Sequence, residues 1–338
     1  MIYVVCPNLN SPCGGIRVLY RHVDILNDHG IDAAILHTGR GFRCTWFENQ
    51  TRVMDLSDTR IEPSDILVLP ETSEKDFVAR DRWTMNRHKK GSRQLAKSNA
   101  RRVIFNQNTY YTFRGRRFHD PSLDMLYTQP NTLGAIVVSE DNQRYLNLAF
   151  DNLDVYRVHN TIDPDLFYYS ERKKKQIAFM PRKNARELDQ VINILRLRGL
   201  ANDFQFVPID GMPEEAVARV MRDSLLFLSF GYPEGFSLPP AEAMACGCIV
   251  IGYHGRGGSE YFHPQFSYPI ENGHIVDFVE TTEHVVQLWR DEPSRLISKA
   301  RQASGYIREN YSPQNTEHDV ISVWSEILSK NSSTRAAA

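Results

Sequence analysis

The chain has 338 residues, 41% of them hydrophobic and 24% charged, with a formal net charge of −1. That length exceeds what one hydrophobic core usually serves and predicts two domains. The near-zero charge gives no global field to recruit nucleic acid, and no apolar run approaches the ~20 residues of a membrane-spanning helix.

Ile2 to Cys6 reads as a first buried strand. It is too short for the apolar region of a signal peptide and no basic segment precedes it, so the expected location is cytoplasmic. Pro7 to Gly15 reads as a loop; Ile16, Leu19, Tyr20, Val23 and Leu26 then recur at helical spacing, with Gly30 where a helix C-cap is expected. Ala33 to Leu36, Ile66 to Leu69, Val103 to Phe105 and Ala135 to Val138 are further short strand-like runs, separated by polar stretches of which Glu71 to Arg102 is the longest. Short apolar runs alternating with longer amphipathic ones predict a parallel sheet with crossover helices.

Lys173-Lys174-Lys175 reads as a solvated linker run, and the grammar then repeats. Ile177 to Met180, Phe204 to Pro208, Leu225 to Ser229 and Cys248 to Gly252 are predicted strands; Glu187 to Leu197 and Pro239 to Cys246 are predicted helices, and Pro213-Glu214-Glu215 starts another. The expected domains are 1–170 and 171–312, followed by a terminal helix over 313–330 that packs back on the first. Val320, Ile321, Trp324, Ile327 and Leu328 form that helix's apolar face, and Lys330 to Ala338 reads as a frayed tail. The five cysteines are an odd count in a large chain, and Cys246-Gly247-Cys248 has no companion pair at zinc spacing. Buried reduced thiols are the better reading.

The chemistry concentrates in Pro233-Glu234-Gly235-Phe236-Ser237-Leu238-Pro239-Pro240-Ala241-Glu242. A strand ends, a glycine-containing loop follows, and a helix opens with proline in its first turn. A helix N-terminus presents N–H groups and partial positive charge to an anion such as a diphosphate. Carboxylates beside a diphosphate are repelled unless they meet hydroxyl donors, so Glu234 and Glu242 suit a phosphate flanked by two polyols. Taken alone, Glu242 reads more simply as a first-turn charge complementing the helix dipole.

With its flanks this segment resembles the signature of retaining GT-B enzymes of glycosyltransferase family 4, the glycosyl transferases group 1. Gly257-Gly258-Ser259-Glu260-Tyr261 is similar to that family's glycine-glycine segment near the donor, and His159 to Phe167 to the segment closing the first domain. Gly14-Gly15 resembles its first-strand glycine loop, and Phe204 to Met212, with Pro208, the strand and loop that hold the base. The resemblance implies an α/β fold of two Rossmann-like domains facing a cleft. It also implies transfer of a sugar from a nucleotide-diphosphate sugar to a hydroxyl acceptor, a glycan or lipid-linked saccharide, with retention and without a metal or other cofactor. Glu234 would contact the donor sugar and Glu242 the ribose, with Gly235, Phe236, Ser237, Leu238, Gly15 and Pro208 also on the donor side. Arg182 matches the family's leaving-group arginine; the lysine is displaced, leaving Lys183 and Arg186 as candidates.

A second departure lies after Val103 to Phe105, where many relatives carry a histidine and this chain has Asn106, Gln107 and Asn108. Amides bond a sugar hydroxyl but do not act as a general base, which fits a front-face mechanism in which the leaving phosphate takes the proton. Asn106, Gln107, Tyr110 and Arg114 are the acceptor-side candidates; the rival use of that aromatic and basic mixture, RNA binding, lacks a supporting motif or net charge. The basic stretch from Arg87 to Arg102 offers a contact with anionic lipid headgroups at the inner membrane face, with a plain solvated helix the simpler reading. Asp163-Pro164-Asp165 has the acid-x-acid form of a metal site, but its central proline makes it a turn. The rival functions are a GT-B-shaped sugar-nucleotide epimerase and a nucleotide-sugar-binding protein without turnover.

Overall fold

Strand β1 (Ile2–Val5) is buried along its whole length, and helix α1 (Gly14–Asp28) buries Ile16, Leu19, Tyr20, Val23 and Leu26, the face that helical spacing marked. Gly30 follows with φ +73°, a conformation only glycine adopts without strain, and turns the chain into β2 (Ala33–His37). The computed structural model describes residues 1–75, 87–116, 118–119 and 124–336. They form two compact units, Met1–His159 with Thr316–Ala338, and Asn160–Asn315.

Unit 1 continues with β3 (Val53–Asp55), β4 (Ile66–Pro70), α2 (Arg87–Ala96), β5 (Arg101–Asn106), β6 (Thr132–Val137), α3 (Glu140–Ala149) and β7 (Val155–Arg157). Every pairing in its sheet is parallel, in the order β3-β2-β1-β4-β5-β6-β7. From β1 the chain builds outward through β2 and β3, then crosses to the other side of β1 for β4. That reversal opens a switch point between the carboxyl ends of β1 and β4, where open parallel sheets place their ligands.

Unit 2 is built from β8 (Lys174–Phe179), α4 (Ala185–Leu197), β9 (Gln205–Pro208), α5 (Glu214–Asp223), β10 (Ser224–Ser229), α6 (Leu238–Ala245), β11 (Ile249–Gly252), β12 (Tyr268–Pro269), α7 (Ile275–Asp291) and α8 (Pro293–Asn310). Its sheet is also parallel, in the order β12-β11-β10-β8-β9, so its switch point lies between β8 and β10. The strands β1, β2, β4, β10 and β11 are near-continuous buried runs, as expected where helices cover both faces of a parallel sheet.

The final helix α9 (Pro313–Ala336) contributes its residues from Thr316 onward to unit 1. Trp324 is fully buried, and its Nε1–H donates to His22 Nε2 at 2.7 Å. Burial pushes the His22 pKa down to about 3, which keeps the ring neutral and able to accept.

Several expectations are corrected. The unit boundary falls at His159/Asn160 rather than after residue 170, because the intervening segment is tied into unit 2: Arg222 Nη1 donates to Leu166 O at 2.7 Å, and Ser170 N to Cys246 O at 3.2 Å. The lysine run is not a solvated linker. Lys174 and Lys175 begin β8, and Lys173 Nζ donates to the carbonyls of Met221 (3.3 Å), Arg222 (3.0 Å) and Cys246 (2.7 Å), where a cation complements two helix C-termini. The frayed tail from Lys330 is helix as far as Ala336, and Lys330 pairs with Asp154 at 2.9 Å. The polar stretch from Glu71 to Arg102 contains α2. Within it Arg102 is buried and donates to the carbonyls of Ala96 and Ser98, so it is no surface charge. The side chains of Arg87, His88, Lys89 and Lys90, and all of Arg117, lie outside the described residues. Cys6, Cys44, Cys246 and Cys248 are buried free thiols as expected, while Cys13 is half-buried.

Candidate functional site

Three strand ends of unit 2 converge on Glu234. The loop after β8 ends at Asn184, whose φ of 47° is left-handed and whose Nδ2 donates to Phe230 O, just past β10, at 2.7 Å. This pins the first loop to the second and sets Lys183 Nζ 2.7 Å from Glu234 Oε1. The loop after β11 closes the third side: Glu234 N donates to Gly255 O at 2.7 Å, and Gly257 N to Glu234 O at 3.1 Å. A Cβ at Gly257 would lie 1.7 Å from Gly235 O, so the close backbone approach admits only glycine.

Arg182, Lys183 and Arg186 are all exposed on this rim. Gly235, Phe236 and Ser237 are buried, Leu238 is half-buried, and Ser237 turns the chain into α6 with φ 67°. Tyr261 holds that turn by donating its hydroxyl to the carbonyls of Phe236 (3.2 Å) and Ser237; burial pushes its pKa well up, which keeps the hydroxyl protonated. Pro239 and Pro240 carry no N–H. Among the first four residues of α6 only Leu238 and Ala241 offer donors, fewer than a helix start normally provides.

Glu242 lies on the buried side of α6, 6% exposed, not as a solvated first-turn charge. Pro208 is exposed at the end of the edge strand β9. Glu260 Oε1 accepts from Tyr311 Oη at 2.8 Å and its carbonyl from Tyr306 Oη at 3.0 Å, which ties its segment to the end of α8.

In unit 1 the candidates separate. Asn106 is fully buried and its Nδ2 donates to Thr112 Oγ1 (3.0 Å) and Tyr127 Oη (2.8 Å), so it is an interior residue and not the surface amide the sequence placed there. Tyr110 donates to Asp141 Oδ2 at 2.9 Å, and Arg114 is exposed with its guanidinium over the Tyr111 ring. Gln107 does stand at the switch point: its Nε2 donates to Gly15 O at 3.1 Å and its backbone N to Glu71 Oε2 at 3.4 Å. Gly15 belongs to unit 1, whereas the other donor-side candidates belong to unit 2.

Sequence reasoning missed Glu71, which ends the β4 run directly, and Asn184, which fixes Lys183. An acid immediately after a buried strand was the legible signal for the first. Asp163 accepts the Asp165 N–H at 2.9 Å, the side-chain-to-backbone bond of a local turn. Among the described residues no group of three or more His, Cys, Asp or Glu side chains is gathered in a way that could hold a metal ion.

Residues 184–303 match the family of glycosyl transferases group 1. The chain is 28% identical to an α-1,6-glucosyltransferase of Actinobacillus pleuropneumoniae serotype 7 (strain AP76), over 73% of this chain and 71% of that one. In structure it resembles sucrose-phosphate synthase of Thermosynechococcus elongatus, at a TM-score of 0.68 and 11% identity, covering 97% of this chain and 99% of that one. It also resembles the Anabaena protein HepE in complex with UDP and glucose, at a TM-score of 0.59 and 12% identity, covering 98% and 100%. The chain therefore carries a glycosyl transferases group 1 region and has the GT-B fold.

Proposed function

We propose that this chain is a glycosyltransferase that moves a hexosyl group from a nucleoside-diphosphate sugar, held by unit 2, to a hydroxyl acceptor held by unit 1, with retention and without a metal. The observation that carries the reading is the pairing of Lys183 with Glu234 at the unit 2 switch point, directly before the start of α6, with Arg182 adjacent to Lys183 in the chain. A diphosphate needs such a cationic rim, and Glu234 would accept hydrogen bonds from sugar hydroxyls once the ligand draws Lys183 toward phosphate. Glu242 would take the ribose hydroxyls. The relatives support a glucosyl donor and a uridine nucleotide: one is named an α-1,6-glucosyltransferase and another was solved with UDP and glucose.

As the bond from the anomeric carbon to the phosphate oxygen breaks, its electron pair passes to the diphosphate. The acceptor oxygen bonds the anomeric carbon on the same face, and its proton passes to the leaving phosphate oxygen. Arg182, assisted by Lys183, would stabilise the developing charge.

The test is incubation with a panel of nucleotide sugars, led by UDP-glucose, following nucleoside diphosphate release with and without saccharide acceptors. Release in excess chelator and an α-linked product by NMR are expected. A β-linked product overturns retention, and loss of activity that a divalent ion restores overturns metal independence.

A further inference from the structure

Glu71 and Glu74 are two buried carboxyls on one turn after β4, and their surroundings differ. Glu74 is fully buried and compensated: Arg116 Nη2 lies 2.8 Å and Nε 3.1 Å from its Oε1, and Leu126 N donates to its Oε2 at 2.9 Å. Such a pair is a structural clamp. Glu71 is 7% exposed and its carboxylate accepts only backbone N–H groups, its own and that of Gln107 at 3.4 Å; among the described residues it makes no ion pair. Burying a carboxylate with so little compensation is unfavourable, and structures retain such groups where they serve a ligand.

Its position fits that role. β4 lies between β1 and β5, so Glu71 stands at the switch point of unit 1, beside Gln107, whose amide reaches Gly15 at the start of α1. A Cβ at Gly15 would meet the Gln107 amide at 3.1 Å, so the glycine lets that amide pack closely against the start of α1.

We infer that Glu71 is the residue by which unit 1 recognises a neutral saccharide acceptor, its carboxylate accepting a hydrogen bond from an acceptor hydroxyl that does not itself react. The inference rests on the proposed transferase activity and names the substrate class of its acceptor: a polyol, which donates to a carboxylate, and not a phosphorylated or carboxylated sugar, which the carboxylate repels.

Burial pushes the Glu71 pKa up from 4.5 to about 7, against the lowering effects of its own backbone N–H, the Gln107 N–H and Arg114. Tyr127, from the turn before β6, also faces it, and burial keeps that phenol neutral. Glu74, on the same turn, is matched by Arg116. Only the ionised carboxylate accepts without donating, so acceptor affinity rises with pH through about 7.

The experiment compares the full-length wild type with Glu71→Gln, using UDP-glucose or whichever donor of the panel is hydrolysed. Glucose, galactose, mannose, N-acetylglucosamine and glucose 6-phosphate serve as acceptor probes. In the variant we expect donor hydrolysis by water within twofold of wild type, and the KM of the best neutral sugar raised about tenfold or more with its pH dependence flattened. The fold provides a separate readout. A carboxyl raised from 4.5 to about 7 loses stability as pH rises through that window, so above pH 7 Glu71→Gln should melt higher than wild type. Unchanged acceptor KM in a variant that still hydrolyses donor overturns the inference alone. So does preference for the phosphorylated sugar, or failure of every neutral sugar with a wild type that hydrolyses donor. If the wild type releases nucleotide from no donor, the transferase reading falls and this one with it.

Discussion

At the switch point of unit 2 the strand ends carry a matched pair, Lys183 with Glu234, with Arg182 adjacent to Lys183 in the chain; at that of unit 1 they carry Glu71 beside an amide and a glycine. Both openings come from the same topology, a parallel sheet whose chain reverses beside its first strand. On the proposed function, the difference lies in what each would hold. A diphosphate brings full charges, so its cradle needs cations in excess and carboxylates already neutralised in the resting state. A saccharide brings hydroxyl dipoles, which a single carboxylate in low dielectric bonds strongly. The units also differ in what crowds their glycines: Gly257 is wedged against the Gly235 backbone, while Gly15 packs against the side-chain amide of Gln107.

The most severe way to break this contrast is Gly257→Ala. Its Cβ would meet the Gly235 carbonyl at 1.7 Å, an overlap that only backbone movement relieves. The loop bearing Glu234 must then separate from the β11 loop. Nucleotide affinity in calorimetry should be lost, whereas Gly15→Ala, facing an adjustable side chain, should leave it intact. Retained affinity in Gly257→Ala would show that the two loops do not form the donor cradle.

Next in size is Arg182→Ala, which should lower turnover by about 10²-fold, the usual scale for removing one donor to a developing anion. Near-normal turnover would move leaving-group stabilisation elsewhere on the rim. Glu242→Ala should weaken nucleoside diphosphate binding by about 1.5–3 kcal/mol, the range for hydrogen bonds to a charged group. Unchanged affinity in a folded variant would return Glu242 to a packing role.

The sequence displayed the strands well because fully buried parallel strands are unbroken apolar runs: β1, β2, β4 and β10 were read to within a residue or so. The edge strands β3, β7 and β12 were invisible, being two or three residues long with little of their length buried. The site was legible where spacing carries meaning, as at Glu234 and Glu242. It was illegible where a side chain turns inward: nothing in Asn106-Gln107 says which amide is interior, since that follows from Thr112 and Tyr127 closing over the first. Lys173 misled for a related reason, because its three carbonyl partners come from the ends of two helices far along the chain.

The smallest effect sharpens the comparison most finely. Lys183 and Arg186 are close in sequence and both exposed, yet only Lys183 is drawn to Glu234, because Asn184 breaks the chain direction between them. Arg186 sits one residue into α4. Lys183→Met should leave stability almost unchanged, within about 1 kcal/mol, since the Lys183 side chain is 50% exposed and solvent screens the pair. Its effect should appear on the donor instead. An unmatched Glu234 repels a diphosphate, so Lys183→Met should weaken nucleoside diphosphate binding by a few-fold, and the loss should shrink in high salt. Arg186→Met should change neither stability nor affinity to that extent. Equal effects of the two substitutions would mean that the rim acts only as a diffuse positive field, and that the Lys183–Glu234 contact has no part in distinguishing the proposed diphosphate-binding switch point from the proposed saccharide-binding one.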